Sequence, residues 1–201
     1  MARKKSAQAH EKVLEAALEL FGKRGIDATS MDAVAEASGV SKATIYKHWA
    51  DKDALALEAL ALLFGLHEEE PEFDSGDLRK DFLDVLTYQA GEERQQAKNR
   101  IMPHVMAYAA RNREFGDKWR TRAFHPAQAR LLALIRRGIR QGKIAGGIEK
   151  NTALALLLGP ILYWHILLGR KSGVAVPEEL AKDVVDAFWK AFGTQRAGFK
   201  A

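Results

Sequence analysis

The chain reads as an all-α protein, and three observations carry that reading. Residues 31–49, MDAVAEASGVSKATIYKHW, hold two short helical patterns about a single glycine. Much of the remaining chain repeats apolar residues three and four apart, broken at Gly and Pro. Residues 152–168 are almost wholly apolar, yet just short of a membrane span and interrupted by Gly159 and Pro160. The expected architecture is an N-terminal three-helix domain with a helix-turn-helix (residues 1–50), a bridging helix (51–66) and a C-terminal helical bundle (67–201).

The first ten residues are expected to be mobile, with Arg3, Lys4 and Lys5 free to reach phosphates or a minor groove. A first helix runs from about Ala9 to Lys23. Val13, Leu14, Ala17, Leu18 and Phe21 make its apolar stripe, and Gly25 stops it. Such a helix cradles the next two.

In the first helix of residues 31–49, Val34 and Ala35 lie inward; in the second, Val40, Ile45 and Trp49 do so. Gly39 suits the left-handed conformation that ends a helix. Ser41 stands where an N-cap belongs. For the helix before it, Thr29 with Asp32 has capping-box spacing and Ser30 competes as the cap. Lys42, Ala43, Tyr46 and Lys47 project together from the outer arc of the second helix. No acidic residue occurs between Ala37 and Ala50. A short helix that turns lysines and a tyrosine outward suits DNA, with the second helix in the major groove. An ordinary helical hairpin would use the same glycine, serine and small residue.

These residues resemble a family. Ala17-Leu18-Glu19-Leu20-Phe21 leading to Gly25, Thr29-Ser30-Met31, Val34-Ala35, Gly39-Val40-Ser41-Lys42, Ile45-Tyr46-Lys47-His48-Trp49 and Asp51-Lys52-Asp53-Ala54-Leu55 resemble the TetR-type repressors. The resemblance covers about residues 10–60. Trp49 stands where that family usually has phenylalanine, and Ala43 where glycine is common. The resemblance implies an all-helical homodimer with N-terminal DNA-binding domains. It also implies a larger C-terminal domain that holds an inducer and the dimer interface. Candidates for base edges are Lys42, Ala43, Thr44 and Lys47. Those for phosphate are Ser30, Ser41, Tyr46, His48 and Lys52.

The bridging helix starts near Asp51 and runs to about Gly65. Leu55, Leu57, Leu60, Leu62, Leu63 and Phe64 cover more than one of its faces, so it must meet two bodies. An acidic loop over 67–76 follows, expected to be solvated rather than to bind a metal. Later helices are expected over Asp77–Lys98, Ile101–Ala110, Glu114–Phe124, Pro126–Gln141, Thr152–Leu168 and Pro177–Phe192. The glycine-rich connection 142–149 lacks the strand and Lys-Ser/Thr of a phosphate cradle.

A helix apolar all round needs cover on every side, which a partner subunit supplies. Leu156, Leu157, Ile161, Val185, Phe188 and Trp189 are the expected homodimer contacts. An inducer cavity between helices is expected to use Leu62, Leu66, Leu86, Tyr88, Met102, Met106, Trp119, Phe124 and Trp164, although the same residues serve an ordinary core.

Composition bounds the rest. The chain has 201 residues, 47% of them hydrophobic, with a formal net charge of +5 and no cysteine. Disulfides, thiolate metal sites and cysteine nucleophiles are excluded. Nine basic residues meet nine acidic ones up to Leu66, so DNA binding must come from local arrangement rather than bulk charge. The six histidines form no i, i+4 pair, and no catalytic motif is present, so neither an enzyme, a cofactor nor a metal is expected. With no apolar leader, a cytoplasmic location is expected. The expectation is a transcriptional repressor that binds double-stranded operator DNA and is released by a small-molecule inducer. In the alternative, its C-terminal domain serves a protein partner or a structural role.

Overall fold

A computed structural model describes residues 2–66, 71–88, 94–164 and 179–194. Among them are ten helices and a single β-bridge, Ile144 to Gly193. The helices are α1 (Ala2–Arg24), α2 (Met31–Ser38), α3 (Lys42–His48), α4 (Lys52–Leu63) and α5 (Leu78–Thr87). They continue with α6 (Gln95–Arg111), α7 (Arg113–Ala123), α8 (His125–Arg140), α9 (Lys150–Leu162) and α10 (Leu180–Phe192). Side-chain caps begin many of them. Ser30, Ser41, Asp51, Asp77 and Glu149 each accept an orphan backbone N–H of the first turn.

The chain packs as two units, Met1–Glu68 with Ala90–Phe124, and Glu69–Gln89 with His125–Ala201. In the first, α1 lies against α2, α4 and α6, and α4 also meets α7. Phe21, Ile26, Ile45, Trp49, Leu55, Leu60, Ile101, Phe115 and Trp119 are its large buried side chains. Helix α4 has buried residues all round because α1 covers one side and α7 another. The two bodies that its apolar faces require are therefore found within one unit, and that unit holds more than the expected 1–50.

In the second unit α5, α8, α9 and α10 enclose Leu78, Phe82, Leu131, Ile135, Leu157 and Phe188. Gly138 lets α8 approach closely: a Cβ there would stand 2.5 Å from Ile144 and 2.8 Å from Leu78. The glycine-rich connection is pinned to the end of α10, where Ala145 N–H donates to Phe192 and Thr194 N–H to Lys143. Asp81 and Arg137 form an enclosed ion pair. Asp81, 0% exposed, accepts from the Ser75 N–H at 2.8 Å and from Arg137, which also holds Asp74. Burial pushes the Asp81 carboxyl up, but Ser75 and Arg137 outweigh it and leave the group below the usual carboxylate range.

Several boundaries differ from expectation. Helix α1 starts at Ala2, not at a mobile tail, because Ala2, Ala7, Gln8 and Ala9 are good helix formers that extend a helix already anchored by Val13 and Phe21. The side chains of Arg3, Lys4 and Lys5 lie outside the described residues. The expected single helix over 77–98 is two: Tyr88 leaves helical geometry (φ −58, ψ 118), and α6 begins at Gln95. Pro103 therefore sits inside α6, where it omits a backbone bond, instead of in a first turn. Helix α9 runs through Gly159 and Pro160 to Leu162. His165, Pro177 and acidic residues 68–70 lie outside the described residues. No helix among the described residues is long and apolar enough to cross a membrane. No group of three or more acidic or histidine side chains among them is placed to hold a metal.

Candidate nucleic-acid interface

The turn between α2 and α3 forms from local chemistry. Gly39 closes α2 at φ +67, in the left-handed region. Ser30, not Thr29, caps α2: its side chain accepts the Ala33 N–H at 3.2 Å. Thr29 is 1% exposed and donates its hydroxyl to the Gly25 carbonyl at 2.7 Å, which ties the turn before α2 to the end of α1. Ser41 caps α3, accepting the Thr44 N–H at 3.3 Å and meeting the Thr44 hydroxyl at 2.9 Å.

Only Ile45 of α3 is buried, and Trp49, its C-cap, is 2% exposed. With these two facing inward, Ser41, Lys42, Ala43, Tyr46, Lys47 and His48 are exposed, Thr44 is half-buried, and Ser30 is exposed at the start of α2. The Lys47 ammonium makes no ion pair with any described residue. Lys42 pairs with Asp32 at 2.7 Å, but both are well exposed, so the pair is weak and opens at little cost. The outward face of α3 thus offers cations, hydroxyls, an imidazole and no carboxylate.

Lys52 is placed differently from the rest. Its ammonium donates to the carbonyls of Ile26 at 2.9 Å and Asp27 at 3.2 Å, and lies 5.4 Å from the Tyr108 ring centroid. It braces the start of α4 against the α1–α2 turn. Tyr108 of α6 adds a bond to Asp53 at 2.6 Å, and Arg111 pairs with Asp27. Burial, then the Asp53 carboxylate, raises the Tyr108 phenol well above its ordinary value.

Sequence spacing also misses a cluster beneath α3. Glu58 of α4 accepts the Trp49 indole N–H at 2.7 Å on one oxygen and bonds His10 of α1 at 2.8 Å on the other. The His10 ring stacks on Trp49 with centroids 4.5 Å apart. In the sequence the cluster's signal is the Trp at residue 49, which carries a donor that phenylalanine lacks.

The expected inducer residues fall in two groups. In the first unit Trp119 is 1% exposed, with Phe64 edge-on at 5.3 Å and Phe124 at 6.4 Å. Leu66, Met102 and Phe124 pack half-buried on the same cluster, while Leu62 and Met106 are exposed. The Trp119 indole N–H is buried and finds no acceptor among the described residues. In the second unit Leu86 packs half-buried on the core, Tyr88 meets Phe73 edge-on and Trp164 is half-buried. A cleft of about 660 Å³ lies elsewhere in the first unit, lined by His48, Asp51, Glu58, Lys118 and Arg122 among others, and none of those inducer candidates reaches it.

Among the expected dimer contacts, Leu157, Val185 and Phe188 are enclosed by the core of their own unit. Ile161 and Trp189 pack on that core half-buried, and Trp189 lies edge-on to Phe82 at 5.5 Å. Leu156 is 47% exposed, as is Tyr163 at 50% on the same stretch.

The chain is similar to known proteins. Residues 13–59 match the family described as bacterial regulatory proteins, tetR family, and residues 72–188 match tetracyclin repressor-like, C-terminal domain. YdeS of Bacillus subtilis, an HTH-type transcriptional regulator, is 27% identical over 162 residues, 80% of this chain and 79% of YdeS. TtgR of Pseudomonas putida, also an HTH-type transcriptional regulator, is 27% identical over 182 residues, 83% of this chain and 86% of TtgR. Among solved structures, the flavonoid-responsive regulator FrrA is similar with a TM-score of 0.65 at 22% identity, covering 94% of this chain and 99% of FrrA.

Proposed function

The chain belongs to the TetR family of bacterial regulatory proteins, and from that premise we propose that it is a cytoplasmic, homodimeric repressor released from its operator by a small molecule. It is a transcriptional regulator with a helix-turn-helix DNA-binding domain, not an enzyme. The observation that carries the DNA reading is the outward face of α3, which is cationic, hydroxyl-bearing and free of acid. Lys42, Ala43, Thr44 and Lys47 read base edges in the major groove, and Ser30, Ser41, Tyr46 and His48 contact phosphate. Lys52 acts as a brace within the protein, since its ammonium is engaged by backbone carbonyls.

Dimerisation is supported by α9, apolar from Ala153 onward, where Leu156 and the C-cap Tyr163 are exposed. An inducer site is supported by the aromatic and methionine cluster about Trp119, whose buried N–H has no acceptor among the described residues. A ligand there acts through its differential affinity for two forms of the protein, worth about 1–3 kcal/mol, or roughly five- to 150-fold in operator affinity.

Selection of bound sites from a random duplex library tests the reading. A palindromic site with half-sites about one or more helical turns apart, bound in a salt-dependent way, is the expected result. No enrichment of any sequence would remove it. Titrating the selected duplex complex with a panel of apolar small molecules, flavonoids included, tests release. Failure of every compound to weaken the complex would favour a second domain that serves a protein partner.

A further inference from the structure

Helix α3 is seven residues long and buries one side chain of its own, Ile45. A helix so short has little stability alone, so its direction depends on what holds its ends. Its N-terminal end is held by the Ser41 cap. Its C-terminal end is held by Trp49, whose backbone N–H closes the last turn on the Ile45 carbonyl at 3.0 Å and whose indole is enclosed.

Burial alone does not decide where the polar edge of the indole faces; a hydrogen bond to that edge favours one orientation. Glu58 supplies that bond. Its two carboxylate oxygens are divided between two partners, the Trp49 N–H and the His10 imidazole, so three chain segments converge on one side chain: α1, the end of α3, and α4. The His10 ring stacks on one face of Trp49, with interplanar angle 28°. His48, the last residue of α3, closes the cluster edge-on to His10 at 5.2 Å. Side-chain exposures of 31% for His10 and 38% for Glu58 keep this cluster at the rim of the core. Its loss exposes groups to water without opening a cavity, so the fold survives.

We propose that Glu58 is the positioning residue of the DNA reader: through Trp49 it fixes the angle at which α3 leaves the core, with His10 holding the carboxylate in place. The proposal rests on the reading of α3 as the groove helix. The carboxylate touches no DNA itself and acts through Trp49. Because the clamp joins α3 to both α1 and α4, a shift of α4 relative to α1 is delivered to the reader at its C-terminal end.

The test uses the full chain and the duplex selected by the wild-type protein. Trp49→Phe keeps an aromatic side chain, though a smaller one, and removes the donor; Glu58→Leu removes the acceptor. Glu58→Gln keeps an amide oxygen to accept from the indole and an amide N–H to face His10. Operator Kd is measured well below each variant's unfolding transition, and amide exchange of residues 44–49 is measured without DNA. Trp49→Phe and Glu58→Leu should each weaken binding by about tenfold, roughly the worth of one hydrogen bond to a charged group. The same two should speed exchange in α3 by a similar factor while α1 and α4 keep their protection. Glu58→Gln should restore most of both. The double variant should lose about as much as Glu58→Leu alone, since that substitution already breaks the Trp49–Glu58 bond. Unchanged exchange in α3, a wild-type Kd in Trp49→Phe, or additive losses in the double variant would each overturn the proposal. Exchange is read without DNA, so it decides the clamp even if the wild-type protein binds no duplex, the outcome that would instead refute the DNA reading.

Discussion

Helices α3 and α4 are separated by three residues in the chain and are opposite in burial. Helix α4 buries seven of its twelve residues; α3 buries one of its seven. Both are short, and both are capped at the N-terminus by a side-chain oxygen. The difference lies in what covers them. Helix α4 is enclosed by α1 and α7, whereas the outer face of α3 is left to solvent and carries Lys42, Tyr46, Lys47 and His48. Stability and recognition are thus divided between adjacent helices. Substitutions of the buried side chains of α4 should act on stability and those on the outer face of α3 on recognition, with Glu58 as the one α4 residue proposed to link the two. Charges follow the same division. Asp32 and Lys42 pair in the open, while Asp81 and Arg137 pair in an enclosed site.

The enclosed pair gives the largest expected effect. Arg137→Met leaves the Asp81 carboxylate buried without its cation, which should cost about 3–5 kcal/mol of stability by denaturant unfolding. Asp81 has a folded pKa below its unfolded one. Its contribution is therefore complete above the ordinary carboxylate range and is lost as pH falls through the depressed value. The stability gap between wild type and Asp81→Asn should accordingly narrow in strong acid; a gap that widens there would break the assignment.

Next comes α4 itself. Leu60 is 0% exposed, and Leu60→Ala should cost about 2–5 kcal/mol through lost transfer energy and a cavity. Ser41→Ala removes the α3 cap and should cost about 1 kcal/mol. Lys42→Ala breaks only an exposed pair, and its stability in urea should shift by less than about 0.5 kcal/mol. A Lys42→Ala penalty as large as that of Leu60→Ala would erase the contrast between the two helices.

What was legible in the sequence was what short-range chemistry decides. Gly39, Ser41 and the 31–49 pattern read correctly because turn and cap are made by residues two or three apart. The burial of Ile45 and Trp49 followed from helical spacing. Contacts across long separations were not legible. Lys52 reaches Ile26, and Glu58 reaches His10, because α1 packs on α4, which spacing along either helix does not encode. Tyr88 and Gln95 show the converse error: an unbroken apolar stripe continued past a point where the backbone leaves the helix. Apolar character likewise could not tell Leu157, which fills its own unit, from Leu156, which faces outward one residue away.

The exposed face of α3 is proposed to read DNA while contributing little to the fold. The most direct measurement compares Lys47→Ala with wild type on the selected operator and on an unrelated duplex of equal length. Loss of a base contact should weaken operator binding by about 1–3 kcal/mol and shrink the preference over the unrelated duplex. The stability should stay within about 0.5 kcal/mol of wild type. An unchanged operator Kd, or equal weakening on both duplexes, would contradict groove reading by Lys47.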